Sequence, residues 1–363
     1  MTDSRLQIGI IGAGTSGVYL AGLLAQDGHD VKIFERGLQA RTEGCGILLV
    51  SAGMKALHQG NPEVCRQILR AGVPAQTFEF RNLRDQVANS HSESPTASEL
   101  PGVLVHRGAI LQALLATLPP HCLHVNAQLA SVSQTAESVI AHFADGTTWQ
   151  GDLLVGADGI FSTVRDVVHP GVQPVYLGDI VWRGIVADRE FCPDGMFKVY
   201  MRGRGIYTNF FDIGNGYTHW GFFIEKEQAP AEVSRLQPYE TAIPAAELAK
   251  LPEAPRSVIE STPTEQIKCR FSYDIDPLPR LYAGRVVLIG DAAHAKSPTR
   301  ARGMTAGLED ALALSRHLAS GGAVQEVLAA FEAERLPIVH DYQRTSRELS
   351  QRIGRARRTK RAA

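Results

Sequence analysis

Ile8-Gly9-Ile10-Ile11-Gly12-Ala13-Gly14-Thr15-Ser16-Gly17 begins as an apolar strand, turns on closely spaced glycines and enters a helix. The spacing gives each glycine its own role. Gly12 permits the tight turn, Gly14 removes the Cβ where phosphates approach, and Gly17 lets helix and strand pack closely. The helix N-terminus then offers unpaired N–H groups and the positive end of a dipole to a pyrophosphate. Gly12, Ala13, Gly14, Ser16 and Gly17 form the candidate phosphate-binding set. Gly28-His29-Asp30 supplies the next turn, and Val31-Lys32-Ile33-Phe34-Glu35 reads as a second strand ending in an acid at the distance expected for a ribose 2′-hydroxyl. Glu35 disfavours a 2′-phosphate there, because two anions in partly desolvated contact repel. A glycine turn alone binds nothing, but strand, turn, helix, strand and acid in one unit point to a dinucleotide.

Far downstream, Val286-Val287-Leu288-Ile289-Gly290-Asp291-Ala292-Ala293-His294 sets an acid just beyond another buried strand. Asp291 suits the polyhydroxyl chain that joins a flavin to its phosphates. A plain nicotinamide dehydrogenase has no use for such an anchor, so the pair of segments favours FAD over NAD.

With 363 residues, 44% hydrophobic and 21% charged, the chain is long enough for a nucleotide-binding domain and a second domain joined to it. The net charge of −1 gives no overall footprint for nucleic acid, and no apolar run approaches membrane-spanning length. The first strand starts by Leu6, which leaves no room for a signal peptide. Cys45, Cys65, Cys122, Cys192 and Cys269 are odd in number and lack metal-ligand spacing, so no metal is expected and a cytoplasmic location fits. The tail carrying Arg352, Arg355, Arg357, Arg358, Lys360 and Arg361 is basic and reads as a solvated terminus.

Nucleotide-domain pieces recur at 1–75, 100–167 and 283–320. Segments 76–99 and 168–282 read as a substrate domain, and 321–363 as a helical C-terminal segment. The polar stretch Asn89 to Glu99 reads as an exposed loop. Val139 to Phe143 and Thr147 to Trp149 flank an Ala144-Asp145-Gly146 turn and predict a hairpin. Leu153-Leu154-Val155-Gly156 predicts a third buried strand, followed after Asp158 by a helix through Val164 and Arg165. Alternating aromatics between Ile180 and Ile224 predict an antiparallel sheet roofing the flavin, with Tyr207, Asn209, Phe211 and Phe222 as candidate substrate contacts. Such aromatics also serve as core or cross-strand pairs. Gly303-Met304-Thr305 opens a helix, ended by Gly321-Gly322, whose N-terminus favours the negative charge of a reduced flavin.

Taken together, these motifs resemble the class A flavoprotein monooxygenases, the single-component FAD hydroxylases that include salicylate and p-hydroxybenzoate hydroxylases and the tetracycline-inactivating monooxygenases. Gly12 to Gly17 with Glu35-Arg36, Gly156-Ala157-Asp158-Gly159 with Ser162 and Arg165, and Gly290 to His294 with Pro298, Gly303 and Gly307 to Ala311 carry the resemblance in order along nearly the whole chain. It implies an α/β fold with a Rossmann-like FAD-binding domain of glutathione-reductase type, an inserted antiparallel-sheet substrate domain and a C-terminal helical segment. It also implies that Arg107 holds FAD from the start of its helix, that Arg41, ahead of Gly44-Cys45-Gly46, lies near the flavin or phosphates with Gly46 beside it, and that Asp158 serves FAD and the nicotinamide donor. Helix capping is the rival role for Asp158. Pro298 would shape the loop beside the reacting face, while the position of His294 in its motif looks structural. Trp182-Arg183-Gly184 is similar to a segment in the salicylate hydroxylase branch, which makes Arg183 a further candidate substrate contact.

The chain departs from the family where Ala301, Arg302 and Thr305 replace its usual glycine, glutamine and asparagine. Ala301 restricts backbone angles that glycine would allow. Arg302 either brings a cation to the flavin or substrate entrance, suiting an anionic substrate, or points to solvent. The activity implied is hydroxylation of a small aromatic or heteroaromatic substrate through a flavin C4a-hydroperoxide, with NADH or NADPH as transient donor and O2 as oxidant, in a monomer or homodimer. An epoxidase or reductase on the same scaffold, or a flavin-free binding protein with the nucleotide fold, are the alternatives. A halogenase is disfavoured, since Trp149, Trp182 and Trp220 are the only tryptophans and form no Trp-x-Trp motif.

Overall fold

The computed structural model describes residues 5–40, 44–93, 99–203, 205–226 and 242–352. Strand Gln7–Ile11, apolar and buried after its first residue, pairs in parallel with Asp30–Phe34 on one side and Leu153–Gly156 on the other. Val286–Leu288 extends the sheet beyond Leu153–Gly156, also in parallel. The resulting six-stranded sheet has Tyr282–Ala283 and Leu123–His124 at its edges. Burial on both faces explains why these strands read as continuous apolar runs instead of alternating ones.

Close approach of helices decides several small residues. Helix Thr15–Gln26 packs against helix Gly303–Ala319 with Ser16 wedged between two glycines. A Cβ at Gly290 would lie 2.8 Å, and one at Gly307 2.0 Å, from the Ser16 hydroxyl. The predicted hairpin is present as Val139–Phe143 and Thr148–Gly151, completed by Leu129–Gln134. Trp149 from this meander lies over the first strand, where a Cβ at Gly9 would meet its ring at 2.5 Å.

The second sheet has seven strands in the order Lys268–Asp274, Val175–Ala187, Tyr217–Glu225, Gly205–Asp212, Met196–Arg202, Thr77–Asn82 and Val87–Ser92. It is antiparallel except where Met196–Arg202 meets Thr77–Asn82 in parallel. Part of the stretch expected as a loop is therefore a strand: Asn89 to Ser92 belong to the exposed edge strand Val87–Ser92. With neither of its faces buried, no hydrophobic alternation marks it, and pairing with Thr77–Asn82 overrides its polar composition. Residues 94–98 lie outside the described residues.

The pleat divides this sheet into two environments. Trp182, Tyr207, Trp220 and Phe222 join an outer core covered by helix Glu253–Glu260 through Val258 and Ile259. Arg183 and His219 alternate with Trp182 and Trp220 and so belong to the opposite face. There His219 meets the nucleotide-binding part, its Nδ1 accepting the Gly46 N–H at 3.2 Å. Helix Val324–Arg352 completes the fold, packing on Gly303–Ala319. No helix of the described residues is long and apolar enough to cross a membrane.

Candidate active site

A cleft of about 210 Å³ lies at the C-terminal ends of the parallel strands, bounded by Gly12 to Gly14, Glu35, Arg36, Arg107 and Ala157 to Gly159. Gly12 has φ +106°, its N–H donates to the Phe34 carbonyl at 2.9 Å, and a Cβ on it would lie 2.5 Å from the Ala157 carbonyl oxygen. Only glycine fits there. Gly17 also needs its bareness, since a Cβ would sit 2.3 Å from the Gly12 carbonyl oxygen. Gly14 differs, because an added Cβ would meet nothing within 4 Å. The helix it precedes has neither a side-chain cap nor an acid in its first turn. Open room beside uncapped N–H groups is what a pyrophosphate requires.

Glu35 is held at the cleft edge: one oxygen accepts the Ala13 N–H at 3.0 Å and the other the Gly37 N–H at 2.9 Å. Each carboxylate oxygen keeps a lone pair for a ribose hydroxyl. Arg107 begins helix Arg107–Leu115, with His106 accepting the Gly108 N–H at 3.2 Å as its cap. Asp158 accepts from the N–H groups of Thr163 at 2.7 Å and Val164 at 3.2 Å and from the Ser162 hydroxyl, bracing the turn ahead of the helix, whose own first N–H, of Arg165, goes to the Ser162 hydroxyl at 2.8 Å. Burial pushes its carboxyl pKa up, against those hydrogen bonds. The helix it was expected to open is a single turn, Arg165–Val168.

A second cavity, of about 320 Å³, shares Phe161 with the cleft and lies between the two sheets. Arg183, Arg270 and Ser272 reach it from the seven-stranded sheet, and Asp291, Lys296 and Pro298 from the opposite side. Asp291 heads the one-turn helix Asp291–His294 after Gly290, whose φ is +59°. Pro298 begins a 3-10 turn leading to the Gly303–Ala319 helix, whose N-terminus also lacks a side-chain cap. Its Gly303 lies beside Asp291: a Cβ there would be 3.8 Å from Asp291 Oδ1. His294 is fully enclosed, hydrogen-bonded through Nε2 to Asp310 and at Nδ1 to the Lys296 ammonium at 2.8 Å. Burial lowers its pKa. With both nitrogens engaged it is a structural member of the site.

A glycine-turn cleft that shares a wall residue with an aromatic- and cation-lined cavity suits a flavin dinucleotide whose ring reaches a substrate. A family model described as an FAD binding domain matches residues 5–346. The chain belongs to this FAD-binding family. It is 30% identical to 3-amino-4-hydroxybenzoate 2-monooxygenase of Streptomyces cremeus, over 97% of this chain and 88% of that protein. It is also 30% identical to the salicylate hydroxylase of Pseudomonas putida, over 94% of this chain and 85% of that protein. The fold is similar to that of Klebsiella pneumoniae HpxO complexed with FAD and uric acid, with TM-score 0.84 and 23% identity over 96% of this chain and 89% of that one. The protein is an FAD-dependent monooxygenase.

Within this flavoprotein the candidate residues fall into distinct places. Gly12, Ala13, Gly14, Glu35, Arg36, Arg107 and Asp158 border the first cleft. Ser16 fills the contact between Gly290 and Gly307, and Gly46 abuts His219, where a Cβ would lie 2.5 Å from the His219 Cβ. Both therefore have packing roles at the margins of the site. Thr305 is buried in the first turn of its helix with no partner for its hydroxyl, next to the partly buried Met304. Arg41 and the tail from Arg355 onward lie outside the described residues.

The substrate candidates need correction. Tyr207 and Phe222 pack against each other in the outer core with ring centroids 4.9 Å apart, and the Tyr207 hydroxyl donates to Glu247. Asn209 and Phe211 fall short of the cavity: Phe211 stacks on Phe197 at 4.8 Å and tilts against His219, and Asn209 Oδ1 is buried against Gly221. Arg302, read either as a cation at the flavin or substrate entrance or as a solvent-pointing arginine, has its guanidinium over the Tyr342 ring at 5.2 Å, on the C-terminal helix. Arg183 and Pro298 do line the cavity. Period-two alternation identifies the strands but not which face looks inward, and a register shift between Tyr200 and Met201 changes the parity around Tyr207. Sequence reasoning misses Arg270 and Lys296, although Lys296 stands two residues after His294 and Arg270 alternates with Cys269 and Phe271.

Proposed function

We propose that the protein hydroxylates a small aromatic or heteroaromatic substrate, using NADH or NADPH as transient donor and O2 as oxidant. The observation that carries this reading is the neighbourhood of Phe161, which borders both the dinucleotide cleft and the cavity holding Arg183, Asp291 and Pro298. Gly14 and the uncapped helix behind it would receive the pyrophosphate, Glu35 the adenosine ribose, Arg107 a phosphate, and Asp291 the flavin side chain. When bound, FAD supplies hydride acceptance and oxygen activation. The chain's own residues do the rest. Phe161 and Tyr273, in an edge contact at 6.0 Å, give the cavity an apolar wall for a flat ring. Arg183, bordering the same space, orients an acidic substituent. The seven-stranded sheet excludes water that would otherwise divert oxygen to peroxide.

The division into FAD-binding segments 1–75, 100–167 and 283–320 and substrate segments 76–99 and 168–282 follows from the same reading. A cytoplasmic monomer or homodimer is proposed with it. The test is to purify the protein, record its flavin spectrum, and screen aromatic acids, phenols and N-heterocycles for faster NAD(P)H consumption. A product carrying one added oxygen, seen by mass spectrometry, supports hydroxylation. Stimulated consumption that yields only peroxide for every compound tested would overturn it.

A further inference from the structure

Lys296 is only 8% exposed yet borders the second cavity. Its ammonium donates to His294 Nδ1 at 2.8 Å, and His294 Nε2 hydrogen-bonds Asp310. That arrangement fixes the imidazole in its neutral Nε2–H form with a lone pair aimed at the lysine. Asp310 is itself held by the Gly290 N–H at 2.9 Å and by Arg335 Nε at 2.8 Å. The group in direct contact with the Lys296 ammonium is therefore a neutral dipole; among the described residues it forms no ion pair with a carboxylate. A buried ammonium is unfavourable unless an anion comes to it.

Across the cavity stand two further cations, Arg183 and Arg270, and the one carboxylate among the described lining residues is Asp291. The Arg183 guanidinium, half-buried, makes no hydrogen bond or ion pair among the described residues. The excess of positive charge around this cavity is the counterpart of an anionic ligand. Burial lowers the Lys296 pKa to about 8, with Arg335 acting in the same direction and Asp291, Asp310 and Glu309 against it.

We infer that Lys296 is a specificity-determining residue that binds an anionic oxygen on the aromatic substrate, and that His294 and Asp310 are positioning residues that hold its ammonium. The inference rests on the hydroxylase reading and assigns the group of this chain that recognises the substrate's anionic oxygen. For a carboxylate, the ammonium form binds an ion already present. For a phenol, the free amine takes the proton: the O–H bond breaks, its electron pair stays on the ring oxygen, and an N–H bond forms. Either route ends in the same ammonium–oxyanion pair.

Calorimetry on the FAD-loaded protein distinguishes these cases with twin probes, benzoate against benzamide and 4-nitrophenol against nitrobenzene. The wild type is expected to bind the charged member of at least one pair about tenfold or more tightly, the usual weight of a charge-assisted hydrogen bond. Preference in the benzoate pair alone identifies a carboxylate subsite; preference in the nitrophenol pair identifies a ring-oxygen subsite. In Lys296→Met the preference disappears while FAD content and affinity for the neutral twin stay unchanged, and Lys296→Arg restores part of it. The wild-type benzoate preference fades as pH rises through the lysine titration, and His294→Leu moves that midpoint lower, because the ammonium loses its acceptor. If Lys296→Met keeps the wild-type preference, or the wild type shows none, the inference fails even where an aromatic substrate is hydroxylated. Absence of hydroxylation with every aromatic compound would instead defeat the broader reading.

Discussion

Gly12 and Gly14 sit two residues apart in one turn, and the structure separates their roles. At Gly12 the backbone angle and the Ala157 carbonyl both forbid a side chain. At Gly14 the backbone is extended, with φ −79° and ψ 175°, and the space around a Cβ is empty. Gly14→Val is therefore expected to fold normally and to lose FAD, since the valine methyls occupy room that phosphate needs. Gly12→Val is expected to lose stability itself, by about 1–2 kcal/mol for the left-handed backbone and more for the clash. Thermal melting and flavin absorbance of the two purified variants make the comparison. A stable Gly14→Val protein that retains full flavin would show that the phosphates lie elsewhere.

At the scale of elements, the parallel sheet and its turns are legible in the sequence because their signals are local: buried strands, glycines with one permitted geometry, an acid at a strand end. The inner face of the second sheet is not, because alternation gives a period without a direction, and Tyr207 and Phe211 look equally suitable until the register is known. His219 shows what that hides. It joins the seven-stranded sheet to the short strand Gly46–Leu49 through the Gly46 N–H, sits fully buried, and desolvation with the nearby Arg183 charge lowers its pKa to about 3. Its folded pKa lies below the unfolded value of 6.5, so between these the unfolded chain binds more protons and stability falls on acidification. The loss from this residue reaches about 2 kcal/mol by pH 5. In His219→Asn the acid limb of a denaturation series should flatten by that amount; an unchanged limb would mean the imidazole is not held neutral. The loop beside Pro298 carries a second such feature. Ala301 adopts φ 52° and ψ 30°, a left-handed conformation that costs a non-glycine residue about 1 kcal/mol or more. Ala301→Gly should stabilise the fold by roughly 0.5 kcal/mol after the greater freedom of the unfolded glycine chain is counted. Equilibrium urea unfolding measures it, and a destabilised variant would contradict the strain.

Across the whole molecule, the C-terminal helix is tied to the flavin end of the site through buried charge. Arg335, 4% exposed, spans from that helix to Asp310 at 2.8 Å and Glu309 at 3.0 Å. Asp310 then holds the Gly290 N–H at 2.9 Å, fixing the turn that presents Asp291. The Arg335 charge, with the hydrogen bonds from His294 and the Gly290 N–H, keeps the Asp310 carboxyl well below the ordinary carboxylate range despite burial. Removing one partner of such a buried network leaves an uncompensated ion, which typically costs about 3–5 kcal/mol. Arg335→Met is expected to lose stability of that order and to release FAD faster, although Arg335 borders neither the cleft nor the cavity. Pairing it with Asp310→Asn should recover part of the stability, since the stranded charge is gone, without restoring flavin retention, since the acceptor that grips Gly290 is weakened. Chemical denaturation and the recovery of FAD fluorescence after dilution give the two readouts. Wild-type flavin release in Arg335→Met would confine the network to stability alone; faster release in both variants would place the C-terminal helix within the cofactor site's support, where the chain of contacts from Arg335 to Asp291 puts it.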